Sequence, residues 1–275
     1  MNLTRHILEK SRTKVMGILN LTPDSFYDGG KYSIDNVNQH IKDMIQCGAD
    51  IIDVGAESSR PGANPISFDE EISRLDPVFE LLSSYNILFS IDTNKPEVAR
   101  IAIQKGFDII NDITGGGESG GMFKVAAEFN VPIIIMHMLG NPLTMQNKPI
   151  YDDVIDDIKK YFCHQIKLAQ LFGVKDKNII LDPGIGFGKD MSDNIEIVNR
   201  LQEIKSLGYS VLIGTSRKSF LQLDDDKPID RLPASISSMT LAITNGADIV
   251  RVHDVKESCK STRITDRFTS KIEVN

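Results

Sequence analysis

The chain has 275 residues, of which 41% are hydrophobic and 25% are charged, proportions that are typical of a folded globular protein. Its formal net charge of −7 argues against a general binder of nucleic acid or of a membrane surface, because no run of Lys or Arg outweighs the acidic background. Three scattered cysteines without a C-x-x-C spacing indicate neither a disulfide framework nor a thiolate metal site. The longest apolar run, 131–136, is too short to cross a bilayer and the N-terminus has no signal-peptide pattern, so we expect a cytoplasmic protein.

Eight apolar runs of strand length follow one another along the chain, and helical patterns separate most of them. The runs cover 15–19, 51–54, 87–91, 108–110, 132–136, 178–181, 211–213 and 248–252. Eight strands alternating with helices are typical of a closed (β/α)8 barrel, whereas an open doubly wound sheet more often has about five or six. We therefore predict a single domain over residues 1–275: an α/β fold of the TIM-barrel type, with eight parallel strands, outer helices and an N-terminal extension over 1–13.

A recurring join between helix and strand supports this alternation. The segments QCGADIIDV, QKGFDIIND and TNGADIVRV each contain a helix end, a glycine, an aspartate and an apolar run. Gly173 and Gly208 stand in equivalent places before two further runs. A glycine readily adopts the left-handed conformation that follows a helix, and the apolar run then enters the barrel wall.

Apolar residues at helical spacing predict the inward faces of the outer helices. They are Ile34, Val37, Ile41 and Met44 in the first helix, Val154, Ile158, Phe162 and Ile166 in the longest (151–172), and Ile195, Val198, Leu201 and Ile204 in a later one. Ser192 is the expected N-cap of that later helix. Thr93 or Asn94 is the expected N-cap of a helix with Pro96 in its first turn.

Polar residues follow every predicted strand at its C-terminal end. They are Asn20, Asp53, Glu57, Ser58, Ser59, Arg60, Asp92, Asn111, Asp112, His137, Asp182, Ser216, Arg217, Lys218, Ser219, Arg251 and His253. In a parallel barrel these ends meet on one face, where barrel enzymes place their active sites. Carboxylates and amides suit an N–H-rich heterocycle, and the cationic side chains suit phosphate or carboxylate. The sequence therefore predicts a site for a ligand with a polar ring at one end and an anionic group at the other.

The glycine-rich segment DPGIGFGK fits neither of two common nucleotide-binding motifs. Its G-x-G-x-G spacing differs from the dinucleotide pattern G-x-G-x-x-G, and its Lys-Asp ending differs from the Lys-Ser/Thr of a P-loop. The five histidines show no zinc-binding spacing. We interpret the segment as a glycine-rich lip of the predicted site.

Eight segments in chain order resemble dihydropteroate synthases. They are MGILNLTPDSFYDGG, GAESSRPGA, SIDT, NDITGG, MHMLGNPLTMQ, LDPGIGFGK, GTSRKSFL and RVHDV, and they extend from near Lys14 to Val255. The resemblance implies a transferase of folate biosynthesis that joins 6-hydroxymethyl-7,8-dihydropterin pyrophosphate to p-aminobenzoate, giving 7,8-dihydropteroate and pyrophosphate. It also implies a pterin-binding TIM barrel, Mg2+ as a cofactor, and a homodimer.

The matched motifs imply roles for individual residues. The residues that resemble the pterin pocket are Asp92, Asn111, Asp182 and Lys218, and those that resemble the pyrophosphate site are Asn20, Arg251 and His253, with Asn20 as a ligand of Mg2+. The residues that resemble the p-aminobenzoate site are Ser59, Arg60, Pro61 and Ser219, and Met136 and Phe187 are further substrate-binding candidates. The segments TPDSFYDGG and ESSRPG resemble two mobile loops that close over the substrates.

The implied chemistry needs charge of both signs. Loss of pyrophosphate leaves a resonance-stabilised pterin cation, so fixed positive charge should neutralise the leaving group and fixed negative charge should surround the cation. The catalytic candidates are Asp92, Lys218, Arg251, His253 and Asp28, with Asp24 as the alternative to Asp28. An arylamine is already a nucleophile at neutral pH, so the reaction requires no strong general base.

Two other functions are compatible with a pterin-binding barrel. A methyltransferase that serves a corrinoid protein would not need SRPG or SRKSF, and both are present. A non-catalytic paralogue with a regulatory role predicts losses among Asn20, Asp92, Lys218, Arg251 and His253, and none of these is lost. The expected partners are therefore small-molecule substrates, with neither nucleic acid nor a membrane among them.

Overall fold

Eight parallel strands close into a barrel, and each pairs with its neighbours in chain order. A computed structural model of the chain describes residues 12–21, 33–58, 64–117, 119–140 and 150–269. The strands are Lys14–Asn20 (β1), Ile51–Gly55 (β2), Leu88–Asp92 (β3), Ile109–Asp112 (β4), Ile133–Met136 (β5), Ile179–Asp182 (β6), Ser210–Ile213 (β7) and Ile249–Val252 (β8). Each predicted strand is present with its ends shifted by at most two residues, so the predicted barrel is confirmed.

Helices surround the barrel and alternate with its strands. Nine α-helices lie within the described residues: Ile34–Cys47 (α1), Phe68–Leu81 (α2), Pro96–Lys105 (α3), Gly121–Phe129 (α4), Val154–Leu171 (α5), Met191–Asn199 (α6), Leu201–Lys205 (α7), Leu232–Thr244 (α8) and Val255–Phe268 (α9). None of these helices combines the length and the apolar character that crossing a bilayer would require.

Helix α6 differs from its prediction at both ends. Its N-cap is Asp190, which forms a capping box with Asp193, while Ser192 lies inside the helix. The capping box satisfies two backbone donors at once, which is why the aspartate forms the cap. The helical pattern is also interrupted at Arg200, which separates α6 from α7. The sequence predicts that Ile195 faces the core, but its side chain is 47% exposed.

Two further details of the helix prediction were wrong. Helix α3 follows Lys95, whose backbone N–H donates to Thr93 Oγ1 at 3.2 Å. Asn94 does not cap the helix because its side-chain amide donates to Glu57 Oε1 at 3.1 Å. Ile34, the first apolar residue of α1, is 37% exposed. The other predicted inward residues of α1 and α5 are buried or partly buried against the core.

The recurring glycine–aspartate join is confirmed, and its aspartate closes the N-terminal edge of the barrel. The glycines have left-handed φ values of 99° at Gly48, 119° at Gly106 and 107° at Gly246. The aspartate side chains accept backbone N–H groups of the neighbouring strand: Asp50 from Val15 at 2.9 Å, Asp108 from Phe89 at 3.0 Å, and Asp248 from Val211 at 2.8 Å. These N–H groups would otherwise lack a partner where the sheet begins.

A layer of eight apolar side chains, one from each strand, fills the barrel interior. It consists of Met16, Ile51, Leu88, Ile109, Ile134, Ile180, Leu212 and Ile249, and we call it the barrel floor. Because side chains alternate along a strand, residues two positions further on point into the barrel above this floor. The residues two positions beyond the floor include Asp53, Asn111, Asp182 and Arg251.

The predicted N-terminal extension 1–13 lies mostly outside the described residues. Thr13, its last residue, is buried and is bound to helix α9. Its Oγ1 donates to Asp266 Oδ1 at 2.7 Å, and its backbone N–H donates to Asp266 Oδ2 at 3.0 Å. These two bonds fix the entry into β1 beside the last helix.

Candidate active site

Arg251 reaches from β8 across the barrel to the ends of β2 and β3. Its Nε donates to Asp53 Oδ2 at 2.6 Å, and its Nη2 donates to Asp92 Oδ2, also at 2.6 Å. Charge-assisted bonds of this length are among the strongest that side chains form. Burial raises the pKa of Asp92 and the Arg251 guanidinium opposes that rise, so the two carboxylates and the cation act as one unit.

Asp53 binds two of the predicted site residues at once. Besides Arg251, its Oδ2 accepts a hydrogen bond from Asn111 Nδ2 at 3.0 Å. Its side chain is fully buried, and its Oδ1 has no hydrogen-bond partner among the described residues. In the sequence Asp53 is among the polar residues at strand ends, but the matched motifs assign it no role in substrate binding or catalysis.

Lys218 lies near Asp182, at the C-terminal end of β6, and against the aromatic ring of Phe187. Its Nζ lies 4.4 Å from the centroid of the Phe187 ring, a cation–π distance. Burial, followed by the charge of Arg251, lowers the pKa of Lys218 to about 8. Asp182 holds its orientation by accepting the Gly184 backbone N–H at 2.8 Å, and burial raises the pKa of Asp182. The predicted residues Asp182, Lys218 and Phe187 therefore lie together.

Met136, the predicted substrate contact on β5, lies beside this group. Its Cα is paired in register with Asp182 across β5 and β6, and its side chain is buried. Ser219 begins a short 3-10 turn directly after Lys218 and is exposed. Both residues thus lie on the same barrel rim as Asp182 and Lys218.

His253 is tied to the loop that follows β7. Its backbone N–H donates to Ser216 Oγ at 3.2 Å, and its Nδ1 lies 3.0 Å from the same hydroxyl. His253 is exposed to solvent, but desolvation at the barrel rim and the nearby Arg251 still lower the pKa of His253 below its ordinary 6.5, so its imidazole is neutral at pH 7. Ser216 is therefore an orienting partner that our residue assignment missed.

Arg217, the residue between Ser216 and Lys218, holds a left-handed conformation with φ of 58°. Such a conformation is strained for a residue with a side chain and needs local support. Its guanidinium makes two bonds to Asp254, at 3.0 and 2.5 Å, and its backbone N–H donates to Ser235 Oγ at 2.9 Å. These contacts fix the turn from which Lys218 extends.

A partly buried ion cluster supports the segments that follow β2 and β3. Lys95 Nζ lies 2.6 Å from Glu57 Oε2 and 2.7 Å from Glu71 Oε2, and Glu71 is fully buried. Thr93 Oγ1 donates to Glu71 at 2.6 Å. Glu57 also accepts the backbone N–H of Ile66 at 3.0 Å. The cluster thereby joins residues on both sides of 58–65, a role for which a single sequence offers no recognisable signal.

Asn20 is the candidate ligand for a magnesium ion. A Cβ added at Gly55 would lie 3.6 Å from Asn20 Oδ1 and 3.5 Å from Asp92 Oδ2, so these two oxygens flank the same glycine. Within the described residues there is no group of three or more His, Cys, Asp or Glu side chains that could hold a metal on their own. A single amide oxygen fits Mg2+, which often takes only one or two protein ligands and completes its shell with substrate phosphates and water.

The predictions for five site residues fall outside the part of the chain that the structure describes. Asp24, Asp28, Ser59, Arg60 and Pro61 lie outside the described residues. The other predicted residues all occur on the rim formed by the C-terminal ends of the strands. The fold and this rim define a barrel enzyme whose site combines buried carboxylates, an amide and two cations.

Comparison with known proteins identifies the family. Residues 16–253 match the family model described as pterin binding enzyme. The dihydropteroate synthase of Clostridium beijerinckii is 48% identical over 259 residues, covering 93% of this chain and 94% of the relative. That of Escherichia coli K12 is 44% identical over 266 residues, covering 96% and 94%. The chain belongs to the dihydropteroate synthase family, and the enzyme is a transferase.

Solved structures agree with this assignment. The dihydropteroate synthase of Yersinia pestis, solved as a complex with a sulfonamide drug, superposes with a TM-score of 0.90 at 39% identity and covers 95% of this chain and 96% of its own. The Burkholderia cenocepacia enzyme, solved in complex with 7,8-dihydropteroate, gives a TM-score of 0.85 at 37% identity and covers 94% and 92%.

Proposed function

We propose that the enzyme transfers the pterinylmethyl group of 6-hydroxymethyl-7,8-dihydropterin pyrophosphate to p-aminobenzoate in folate biosynthesis. The observation that carries this proposal is the rim itself, where Arg251 bridges Asp53 and Asp92 while Lys218 lies against Phe187. This combination offers acceptors for the N–H groups of a pterin ring and cations for an anionic leaving group.

The proposed reaction separates charge before it forms a bond. The C–O bond between the pterinylmethyl carbon and pyrophosphate breaks, and the electron pair leaves with the pyrophosphate. The nitrogen of p-aminobenzoate then forms the new C–N bond and loses a proton to solvent. Asp92 and Asp53 supply fixed negative charge near the pterin cation. Arg251 and Lys218 supply positive charge toward the diphosphate, and the neutral imidazole of His253 supplies an N–H donor.

Magnesium is the proposed cofactor, with Asn20 as its protein ligand. When bound, the ion would neutralise charge on the departing pyrophosphate. Asn20 supplies one amide oxygen beside Asp92, and the diphosphate of the substrate would supply further oxygens. We also propose that Ser59, Arg60, Pro61 and Ser219 bind p-aminobenzoate, and that Asp28 or Asp24 faces the cation. The motif resemblance supports these assignments.

An assay of pyrophosphate release tests the proposal. We expect release that requires both p-aminobenzoate and Mg2+, and an Arg251→Ala variant with turnover lower by about 10² or more, the scale for loss of one preorganised charge. Arg100→Ala is the matched control, since Arg100 lies on α3, away from the rim, where it forms an ion pair with Glu128 and lies over the Phe129 ring.

The same assay separates the alternative functions. Methyl transfer to cobalamin without pyrophosphate release would favour a corrinoid-linked methyltransferase. Pterin binding without any turnover would favour a regulatory module. Turnover of Arg251→Ala within a few-fold of the parent would contradict the role of Arg251 while leaving the reaction itself intact.

We further propose that the enzyme forms a homodimer through its outer helices. Large apolar side chains are exposed on neighbouring helices α6 and α8, including Ile195 and Leu241. Light scattering coupled to size-exclusion chromatography would give twice the 30.6 kDa chain mass, and a single-chain mass would contradict the proposal. The cytoplasmic location stays a prediction from the sequence.

A further inference from the structure

The segment 183–189, between β6 and α6, packs directly on the chain that leaves β5. Its glycines have left-handed φ values of 69° at Gly184, 79° at Gly186 and 62° at Gly188. A Cβ at Gly184 would lie 2.0 Å from the carbonyl oxygen of His137, and one at Gly188 would lie 2.6 Å from that of Leu139. Only glycine allows this approach, so the two backbones form one contact surface.

Lys189 is the last residue of this segment, and its side chain holds the segment in place by hydrogen bonds to backbone carbonyls. Its Nζ donates to the carbonyl oxygens of His137 at 3.2 Å, Gly184 at 3.0 Å and Phe187 at 2.9 Å. In its protonated form the amine has three donors, so every donor is used and every acceptor is a neutral carbonyl. The lysine is only 7% exposed, and its three hydrogen-bond partners among the described residues include no carboxylate.

A charged group in this environment is unfavourable by itself. Burial lowers the pKa of Lys189 to about 7, and the carboxylates of Asp182 and Asp193 only partly offset that effect. A buried cation without an acidic partner lowers stability unless it satisfies other buried polar groups. Its three carbonyl bonds satisfy such groups, and two of them belong to the segment that faces the site.

The segment that Lys189 holds in place packs against the side chain of Lys218. The Phe187 ring lies 4.4 Å from Lys218 Nζ. A Cβ added at Gly186 would lie 3.4 Å from Lys218 Cδ, so the backbone at Gly186 follows the stem of that lysine. Any shift of the segment away from His137 would therefore move the support on which Lys218 lies.

We propose that Lys189 is a positioning residue for the pterin site, which acts by holding Phe187 and Gly186 against Lys218. This inference rests on the proposed function for its kinetic consequence, although the packing it describes exists without substrate. Lys189 itself touches neither the substrate nor the reacting atoms in this proposal.

Lys189→Met tests the proposal because methionine keeps a long stem and removes all three donors. We expect the KM for dihydropterin pyrophosphate to rise about tenfold with a smaller change in kcat, since both substrate and transition state use the displaced wall. Lys160→Met is the matched control: the Lys160 side chain is 77% exposed on α5 and forms a surface ion pair with Asp157. Lys189→Arg should recover part of the loss, because a guanidinium can still donate to these carbonyls.

A double-mutant cycle with Phe187→Ala separates positioning from a merely structural role. If Lys189 acts through Phe187, Lys189→Met should change KM much less in the Phe187→Ala background than in the parent. Equal effects in both backgrounds, or a parental KM in Lys189→Met, would overturn the inference.

A readout that needs no activity keeps this inference separate from the proposed function. Lys218 should react with acetic anhydride several-fold faster in Lys189→Met than in the parent, measured by mass spectrometry below the unfolding temperature of both proteins. Lys160 should react equally in both. Altered labelling in an enzyme that releases no pyrophosphate would refute the proposed reaction alone, whereas unaltered labelling in an active enzyme would refute the role of Lys189 alone.

Discussion

Lys218 carries a positive charge at the candidate site, but its surroundings disfavour the protonated form. Phe187 covers one side of the ammonium group, and the positive charge of Arg251 contributes to lowering its pKa. Burial is the largest cause that lowers the pKa of Lys218 to about 8. The lysine is therefore protonated at neutral pH but loses its proton in a range that enzyme kinetics can reach.

The pH dependence of kcat/KM for the pterin substrate should report this proton. We expect kcat/KM to fall above about pH 8, where Lys218 becomes neutral. In Lys218→Arg the decrease of kcat/KM above about pH 8 should disappear, because a guanidinium stays charged. The variant's kcat/KM is allowed to be lower than that of the parent at every pH. An unchanged fall in Lys218→Arg would assign the proton to another group.

Stability should change in the opposite direction over the same range. The folded lysine releases its proton near pH 8 and the unfolded one near its ordinary value of 10.5, so the unfolded state binds more protons between these values. Stability from this group therefore increases with pH across the window. A loss of activity with constant or higher thermal stability would exclude alkaline unfolding as its cause.

Sequence reasoning found most of the individual site residues on the described rim. Strand ends and motif matches selected Asp92, Asn111, Asp182 and Lys218, which the structure brings together. Asp53 was left without a role because its importance lies in a bond to Arg251, a residue 198 positions away. Lys189 was also missed, because its partners are backbone carbonyl groups, which every residue has and which a sequence therefore does not distinguish.

At the scale of elements, the glycine–aspartate join is the clearest case of a pattern with a structural cause. The glycine ends the helix, and the aspartate accepts a backbone N–H from the adjacent strand. Strand positions were easy to predict because both faces of a barrel strand are buried. Helix starts were harder, because Asp190, Ser192 and Asp193 are all good capping residues and only the geometry selects among them.

Asp108→Ala should destabilise the barrel without altering catalysis. The substitution leaves the Phe89 N–H without its acceptor at 3.0 Å, so we expect the free energy of unfolding to fall by about 1–3 kcal/mol. Asp108→Asn keeps a carbonyl oxygen and serves as the control with a smaller loss. Denaturant unfolding measures the difference, and equal stability of the alanine variant and the parent would show that water replaces the bond.

The whole molecule separates stability from function along the barrel axis. Aspartates close the N-terminal edge, the apolar floor fills the middle, and charged groups occupy the C-terminal rim. The sequence could predict the barrel and its functional end, because polar residues cluster after the strands. It could not identify the floor, because apolar runs give no sign of which residues point inward and which point toward the helices.

This arrangement implies that the floor supports the site directly. Ile180 belongs to the floor and precedes Asp182 by two positions on β6. Ile155 on α5 is buried to the same extent but belongs to the outer core between strands and helices. Truncation of either residue to alanine should lower the free energy of unfolding by about 2–5 kcal/mol.

Only one of the two variants should alter substrate binding. The cavity left by Ile180→Ala lies beneath Asp182, so we expect the KM for dihydropterin pyrophosphate to rise several-fold as the rim relaxes toward it. Ile155→Ala leaves the floor intact and should keep the parental KM despite a similar loss of stability. Steady-state kinetics at a temperature where both variants are folded would compare them. Equal KM values would mean that the rim keeps its geometry independently of the floor, and that the strands alone fix the site.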